Sequence, residues 1–143
     1  MLIRFFIYGL LGWCWEVVWT AVTEKAWGKQ RDWRLMGHSY LWMFPIYGLL
    51  APVGEPIHNA LRSHFWVGRG IVYLLGIWAV EYATGWLLRK LTGKCPWDYS
   101  NFPGNIHDII TLEYAPVWFV FGLGYERVHD ALVELTPAIR AVL

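Results

Sequence analysis

Charge is scarce in this sequence. Only 16 % of its 143 residues are Asp, Glu, Lys or Arg, against about 25 % in soluble domains, so a soluble fold of this size would have too little polar surface. The net charge of +1, with no basic stripe longer than a few residues, excludes a nucleic-acid binder, because phosphate recognition needs many cations. Only two cysteines are present. Cys14 sits in an apolar run and Cys95 in a polar loop, so a disulfide framework is not expected. No G-x-x-x-x-G-K-[ST] phosphate loop occurs, and no internal repeat or low-complexity stretch is read along the chain.

What the sequence has instead is apolar and aromatic. Hydrophobic residues make up 57 % of it, with 11 Trp, 8 Tyr and 7 Phe; indole and phenol rings favour the membrane interface, where one end is apolar and the other wet. The composition describes an integral, multi-pass membrane protein. The apolar start 2–22 lacks a basic leader beyond Arg4 and has bulky Trp where small cleavage-site residues would stand, so it reads as a first span and not as a signal peptide.

A helix crossing the hydrocarbon core needs about 20 apolar residues. Four segments approach that length, giving an all-α polytopic bundle of four transmembrane helices. They run from about 2 to 22, 40 to 61, 70 to 88, and 109 to 124. The second is interrupted by Pro45, Pro52, Pro56, Gly48, Gly54, Glu55 and His58 and is expected to be kinked or broken. Asp108 is the expected N-cap of the fourth, and Pro116 is expected to bend it. Val128, Leu132, Leu135 and Ile139, spaced by three and four, predict an amphipathic surface helix over 128–143 after a transmembrane domain of 1–127. Lys25, Lys29, Arg31, Arg34, Arg89, Lys90 and Lys94 fall on one expected side and five arginines on the other, a slight excess that favours the first as cytoplasmic.

Carboxylates inside spans cost at least ~2.5–3.5 kcal/mol each near a helix centre, so each is a functional hypothesis by default. Glu81 lies near the midpoint of the third span, and Glu16 and Glu113 are displaced from their own midpoints toward the same face. The three are expected at similar depth, with at least one holding a proton near neutrality. Arg89, two helical turns after Glu81, is the candidate counter-ion. Loop 89–107 adds Trp97, Asp98, Tyr99 and Ser100, and Tyr47 and His107 complete the candidate binding residues. Glu81, Glu113, Glu16 and Asp98 are the candidate catalytic groups. No metal or cofactor is expected: carboxylates with His38, His58 or His107 could compose a site, but no H-x-x-x-H, E-x-x-H or C-x-x-C spacing is read that would fix two ligands on one face. A purely structural role, each Glu gluing helices through hydrogen bonds, is the alternative for all of them.

Several runs also resemble a known family. They are Glu16-Val17-Val18-Trp19-Thr20-Ala21, Pro45-Ile46-Tyr47-Gly48 and the stretch from Glu81 to Arg89. Cys95-Pro96-Trp97-Asp98-Tyr99-Ser100 follows, then Ile110-Thr111-Leu112-Glu113-Tyr114 and Trp118-Phe119. Together they resemble the transmembrane protein 229 family and its bacterial relatives, named Putative ABC-transporter type IV, over about 5–127. Many bacterial members have Arg-Gly where this chain has Met36-Gly37, with Arg34 the nearest base. The resemblance implies a small four-helix membrane protein in which Glu16, Glu81, Trp97, Asp98, Tyr99, Ser100 and Glu113 match family motifs.

Three functions are open at this level. The leading expectation is a protein that binds a membrane lipid or other amphiphile at the acidic pocket, with chemical modification of it as an extension. The second is a proton-coupled small-solute transporter or permease subunit, gated by the broken second span. The third is a non-enzymatic assembly protein. Homo-oligomers or a larger membrane complex fit each of them.

Overall fold

The computed structural model describes residues 1–27 and 33–142, with the side chains of 24–27 outside that description. Lys29 and Arg31 therefore lie outside the described residues, as does the side chain of Lys25. The chain forms two compact units, Met1–Glu55 and Pro56–Leu143.

In the first unit, α1 (Leu2–Trp27) is an uninterrupted helix. Its segment Leu2–Thr23 is long and apolar enough to cross a membrane. Leu2, Leu10, Val18 and Val22 are exposed along it, as expected of a surface meant for lipid and not for water. The second expected span is broken, as its prolines predict. Short α2 (Met43–Gly48) is followed by a π-turn (Leu50–Gly54) and α3 (Glu55–Leu61). Pro45, Pro52 and Pro56 supply no N–H to the ladder, and the wider π-turn absorbs the mismatch.

Small residues let these helices approach. A Cβ on Gly12 would lie 2.0 Å from the Tyr47 ring, and one on Gly48 would lie 2.7 Å from the Phe5 ring. Gly9 and Gly12 thus do the work of a close-packing motif although their spacing is three and not four. The chain before α2 is tied to α1 by a reciprocal pair: Thr20 Oγ1 donates to His38 O at 2.9 Å, and His38 N donates to Thr20 Oγ1 at 2.9 Å.

The second unit is built on α4 (Trp66–Thr92), the other helix able to cross a membrane by length and composition. Gly93, left-handed at φ 82°, caps it and returns its N–H to Arg89 O, while Arg89 and Lys90 meet the negative helix end. The following loop folds back onto α4. Trp97 and Ile109 seat on Gly85, where a Cβ would fall 2.9 and 2.7 Å from them, and Trp97 Nε1 donates to Ile109 O at 2.9 Å.

The start of the fourth expected span differs from its prediction. Residues 105–106 and 110–111 form a two-stranded antiparallel ladder with Asn105 opposite Thr111. Asp108 is not a helix cap. It and His107 sit at φ 62° and 53° in the turn closed by Ile109 N to Ile106 O, the mirror-image turn that tight hairpins favour. A 3₁₀ turn (Leu112–Tyr114) then leads into α5 (Ala115–Val142). Pro116 falls in its first turn, where no N–H is needed, so it causes no kink there. The segments assigned to a fourth span and to a C-terminal amphipathic helix are both carried by this one helix, which contains Pro137.

Candidate functional site

Within the second unit the residues singled out from sequence gather on the C-terminal half of α4. Tyr99 Oη donates to Glu81 Oε1 at 3.4 Å, and the Tyr99 ring stands edge-on to Tyr114, with centroids 5.4 Å apart. Tyr114 also feels the charges of both Glu81 and Glu113, although Glu113 itself is exposed. Asp98 accepts from Ser100 N at 2.8 Å; that bond and the Ser100 hydroxyl hold its carboxyl below the ordinary range, helped by Arg89. The charge of Arg89 thus reaches the loop. His107 Nδ1 lies 2.7 Å from Tyr82 Oη at the exposed hairpin turn. Burial pushes the Cys95 thiol up, which keeps it protonated and a poor nucleophile. Glu16 and Tyr47 belong to the first unit. Tyr47 packs over Gly12, and Glu16 Oε2 is buried with no hydrogen-bond partner among the described residues.

A second polar cluster, unforeseen as a site, lies where α3, the N-terminal half of α4 and α5 contribute side chains. Arg69 forks onto Glu126, Nε to Oε1 at 2.7 Å and Nη2 to Oε2 at 3.0 Å, and its Nη1 donates to His64 O at 2.7 Å. Tyr73 Oη donates to the same Glu126 Oε1 at 2.8 Å and lies 2.9 Å from His58 Nδ1. Beyond His58 stands His129, with ring centroids 4.7 Å apart. Asp130 Oδ1 lies 3.5 Å from His58 Nε2 and 4.0 Å from His129 Nε2, and Arg62 pairs with that oxygen. His58 is 3 % exposed and His129 1 %. Nitrogen and oxygen atoms of His58, His129 and Asp130 lie within 4.8 Å of one another, a set able to hold a metal ion.

One assignment follows from the bonds alone. Glu126, held by an arginine fork, is a carboxylate and only accepts. The Tyr73 proton must therefore point to Glu126, which leaves the Tyr73 oxygen to accept from His58 Nδ1–H. A neutral His58 then carries no proton on Nε2.

The same pairing exposes an internal repeat that the sequence reading missed. The first unit has its own arginine fork, Arg4 Nε to Glu55 Oε1 at 2.6 Å and Nη2 to Oε2 at 2.7 Å. Around the two forks the chain repeats itself. Arg4, Ile7, Tyr8, Trp13 and Glu16 match Arg69, Val72, Tyr73, Trp78 and Glu81 at one constant offset. Glu55-Pro56-Ile57-His58-Asn59-Ala60-Leu61 matches Glu126-Arg127-Val128-His129-Asp130-Ala131-Leu132 at another. One packing contact even recurs with large and small exchanged: Gly48 meets the Phe5 ring, and Gly70 meets the Phe119 ring. Both Glu-x-x-His runs were readable signals, since that spacing puts two ligand-type side chains on one helical face. The expectation that no E-x-x-H spacing occurs is thereby corrected: both runs lie at the ends of spans, away from the midpoints where a carboxylate is costliest.

No solved structure matches the chain. The family described as Putative ABC-transporter type IV matches residues 3–141, as the runs around Glu81, Trp97 and Glu113 imply. Two apolar helices of membrane-crossing length, and ionisable side chains paired where helices meet, accompany that match. The chain belongs to the Putative ABC-transporter type IV membrane family.

Proposed function

We propose that the chain is a small-solute transport component whose working part is the His58–Tyr73–Glu126 chain, with proton movement along it linked to solute passage. The observation that carries this reading is the unbroken hydrogen-bonded path from a buried histidine, through one hydroxyl, to an arginine-held carboxylate. Its members form one donor-to-acceptor chain, His58 to Tyr73 to Glu126, and ionisable groups in membrane helices are expensive enough to be kept for transport. The repeat supports the same reading, because transporter folds recurrently arise from duplicated helix units. With no phosphate loop in the chain, ATP-driven movement would require a separate nucleotide-binding partner.

The test uses proteoliposomes loaded with a pH-sensitive dye and challenged with amino acids, organic acids, sugars and divalent cations. Wild-type protein is expected to give a solute-dependent pH change that Glu126→Gln abolishes. Equal traces from wild type, variant and empty vesicles for every solute overturn the proposal.

The Glu81 cluster favours a second reading, capture of an amphiphile head group. Its support is a carboxylate bonded by Tyr99 beneath a loop that Trp97 and Ile109 seat on α4. Native mass spectrometry of wild type beside Glu81→Gln/Glu113→Gln tests it. A defined lipid adduct lost on mutation is expected, and identical bulk-lipid profiles overturn it.

A further inference from the structure

The geometry points to a divalent transition-metal site, of the kind that takes Zn²⁺, formed by His58 Nε2, His129 Nε2 and Asp130. Arg69 fixes Glu126 as an acceptor, Tyr73 donates to Glu126, and His58 Nδ1–H donates to Tyr73. In neutral His58 that leaves a lone pair on Nε2, a buried atom without a hydrogen bond of ordinary geometry among the described residues. The atom it faces, Asp130 Oδ1 at 3.5 Å, is also an acceptor. Two acceptors turned toward each other repel unless positive charge lies near them. At this partly exposed edge Arg62 meets the Asp130 oxygen from the solvent side, and a metal ion between the two acceptors would supply the charge directly. The Tyr73–Glu126 relay behind Nδ1 is the supporting arrangement that metal-bound histidines use to fix their ring and tautomer.

The remaining features fit the same ligand. His129, the repeat equivalent of His58, brings its Nε2 to 4.0 Å from the same carboxylate oxygen. Two imidazoles and one carboxylate suit Zn²⁺ and leave its fourth position open. At Zn–N and Zn–O lengths of about 2.0–2.2 Å, donors on a tetrahedron stand about 3.4 Å apart. His58 and Asp130 already have about that spacing, His129 stands about 0.6 Å beyond it from Asp130, and the three ligand atoms, within 4.8 Å of one another, would draw together around the ion. Both E-x-x-H glutamates, Glu55 and Glu126, are taken by arginines, so they stay out of the first coordination sphere. Arg62 is the competitor. It holds Asp130 from the solvent side, with its own side chain 52 % exposed, and can swing into water when a dication arrives. The site shares His58 with the proposed relay but is tested without a gradient, so the two stand or fall separately.

The experiment is calorimetric titration of Zn²⁺ into the full chain in detergent, purified without a histidine tag, with Co²⁺ absorption as a report on geometry. Wild type is expected to bind one Zn²⁺ per chain with micromolar or tighter affinity and to give a tetrahedral Co²⁺ spectrum. His129→Gln and Asp130→Asn should each weaken binding by tenfold or more, and Tyr73→Phe by about tenfold through loss of the orienting bond. Arg62→Gln should tighten it, since it removes a competing cation. Arg62 and Asp130 lie at the partly exposed edge, so their variants are expected to fold. No binding at about millimolar Zn²⁺, or equal affinity in wild type, Asp130→Asn and Arg62→Gln, overturns the site.

Discussion

Replacing Tyr73 with Phe removes one oxygen and two hydrogen bonds, to Glu126 at 2.8 Å and to His58 Nδ1 at 2.9 Å. Glu126 keeps the Arg69 fork, so the loss falls on His58, which is 3 % exposed. A buried donor left without an acceptor costs about 1–3 kcal/mol. His58 has an escape, however: its proton can move from Nδ1 to Nε2, which then points at Asp130 Oδ1, 3.5 Å away. The expected destabilisation is therefore only about 1 kcal/mol, the low end of that range. Denaturation in detergent measures it, and ¹⁵N spectra of histidine-labelled protein read the tautomer. Wild type should show His58 protonated on Nδ1, and the variant on Nε2. A wild-type His58 already protonated on Nε2 would refute the tautomer argument, and so would a loss of several kcal/mol with the tautomer unchanged.

Three further outcomes are expected. Arg4→Met removes the two-pronged fork from Glu55, whose side chain is only 9 % exposed; unfolding should show a loss of up to about 3–5 kcal/mol, largely restored in Arg4→Met/Glu55→Met. Gly12→Ala places a Cβ 2.0 Å from the Tyr47 ring and should cost about 1–3 kcal/mol by overpacking, whereas Gly76→Ala, with open space around it, should leave the melting temperature unchanged or raised. Asp98 has a lowered carboxyl pKa, so its contribution is complete above an unfolded value of about 3.9 and fades as pH falls through the folded one; the stability gap between wild type and Asp98→Asn should be flat from pH 5 to 8 and shrink below pH 4.

What could be read in advance was whatever one helix decides for itself. The apolar run of α1, the span of α4 and the breaks at Pro45, Pro52 and Pro56 follow from composition and from missing N–H groups. The start of α5 was misplaced because Asp108 is a good N-cap residue by type, while the hairpin turn that claims it depends on the pairing of 105–106 with 110–111. Glu81, Tyr99 and Trp97 do come together, because a loop tied to a helix end has few places to go. The His58–Tyr73–Glu126 relay was hidden for the opposite reason: its members lie 15 and 53 residues apart, and only helix packing joins them. Its sequence trace, the repeated Glu-x-x-His, becomes visible once two arginine forks mark the equivalent positions.

The repeat also separates scaffold from function. What the two copies share is a load of buried polar pairing, Arg4 with Glu55 and Arg69 with Glu126, together with the tyrosine and histidine placed at the same offsets. The arginine forks are what any stable copy of the unit needs, because an unpaired glutamate or arginine between helices is costly. The differences are where a specific activity has room to arise. Asn59 in one copy is Asp130 in the other, so the facing histidines share one carboxylate and not two. Arg62 spans that difference, donating to Asn59 Oδ1 at 3.4 Å while it pairs with Asp130, and the second copy has Val133 in its place. Asn59→Asp would make the copies alike at this position and give Arg62 a second carboxylate. If the site depends on an Asp130 that Arg62 can release, this substitution should draw the arginine toward residue 59 and tighten Zn²⁺ binding, as Arg62→Gln does. An unchanged Zn²⁺ affinity would show that Arg62 does not regulate Asp130.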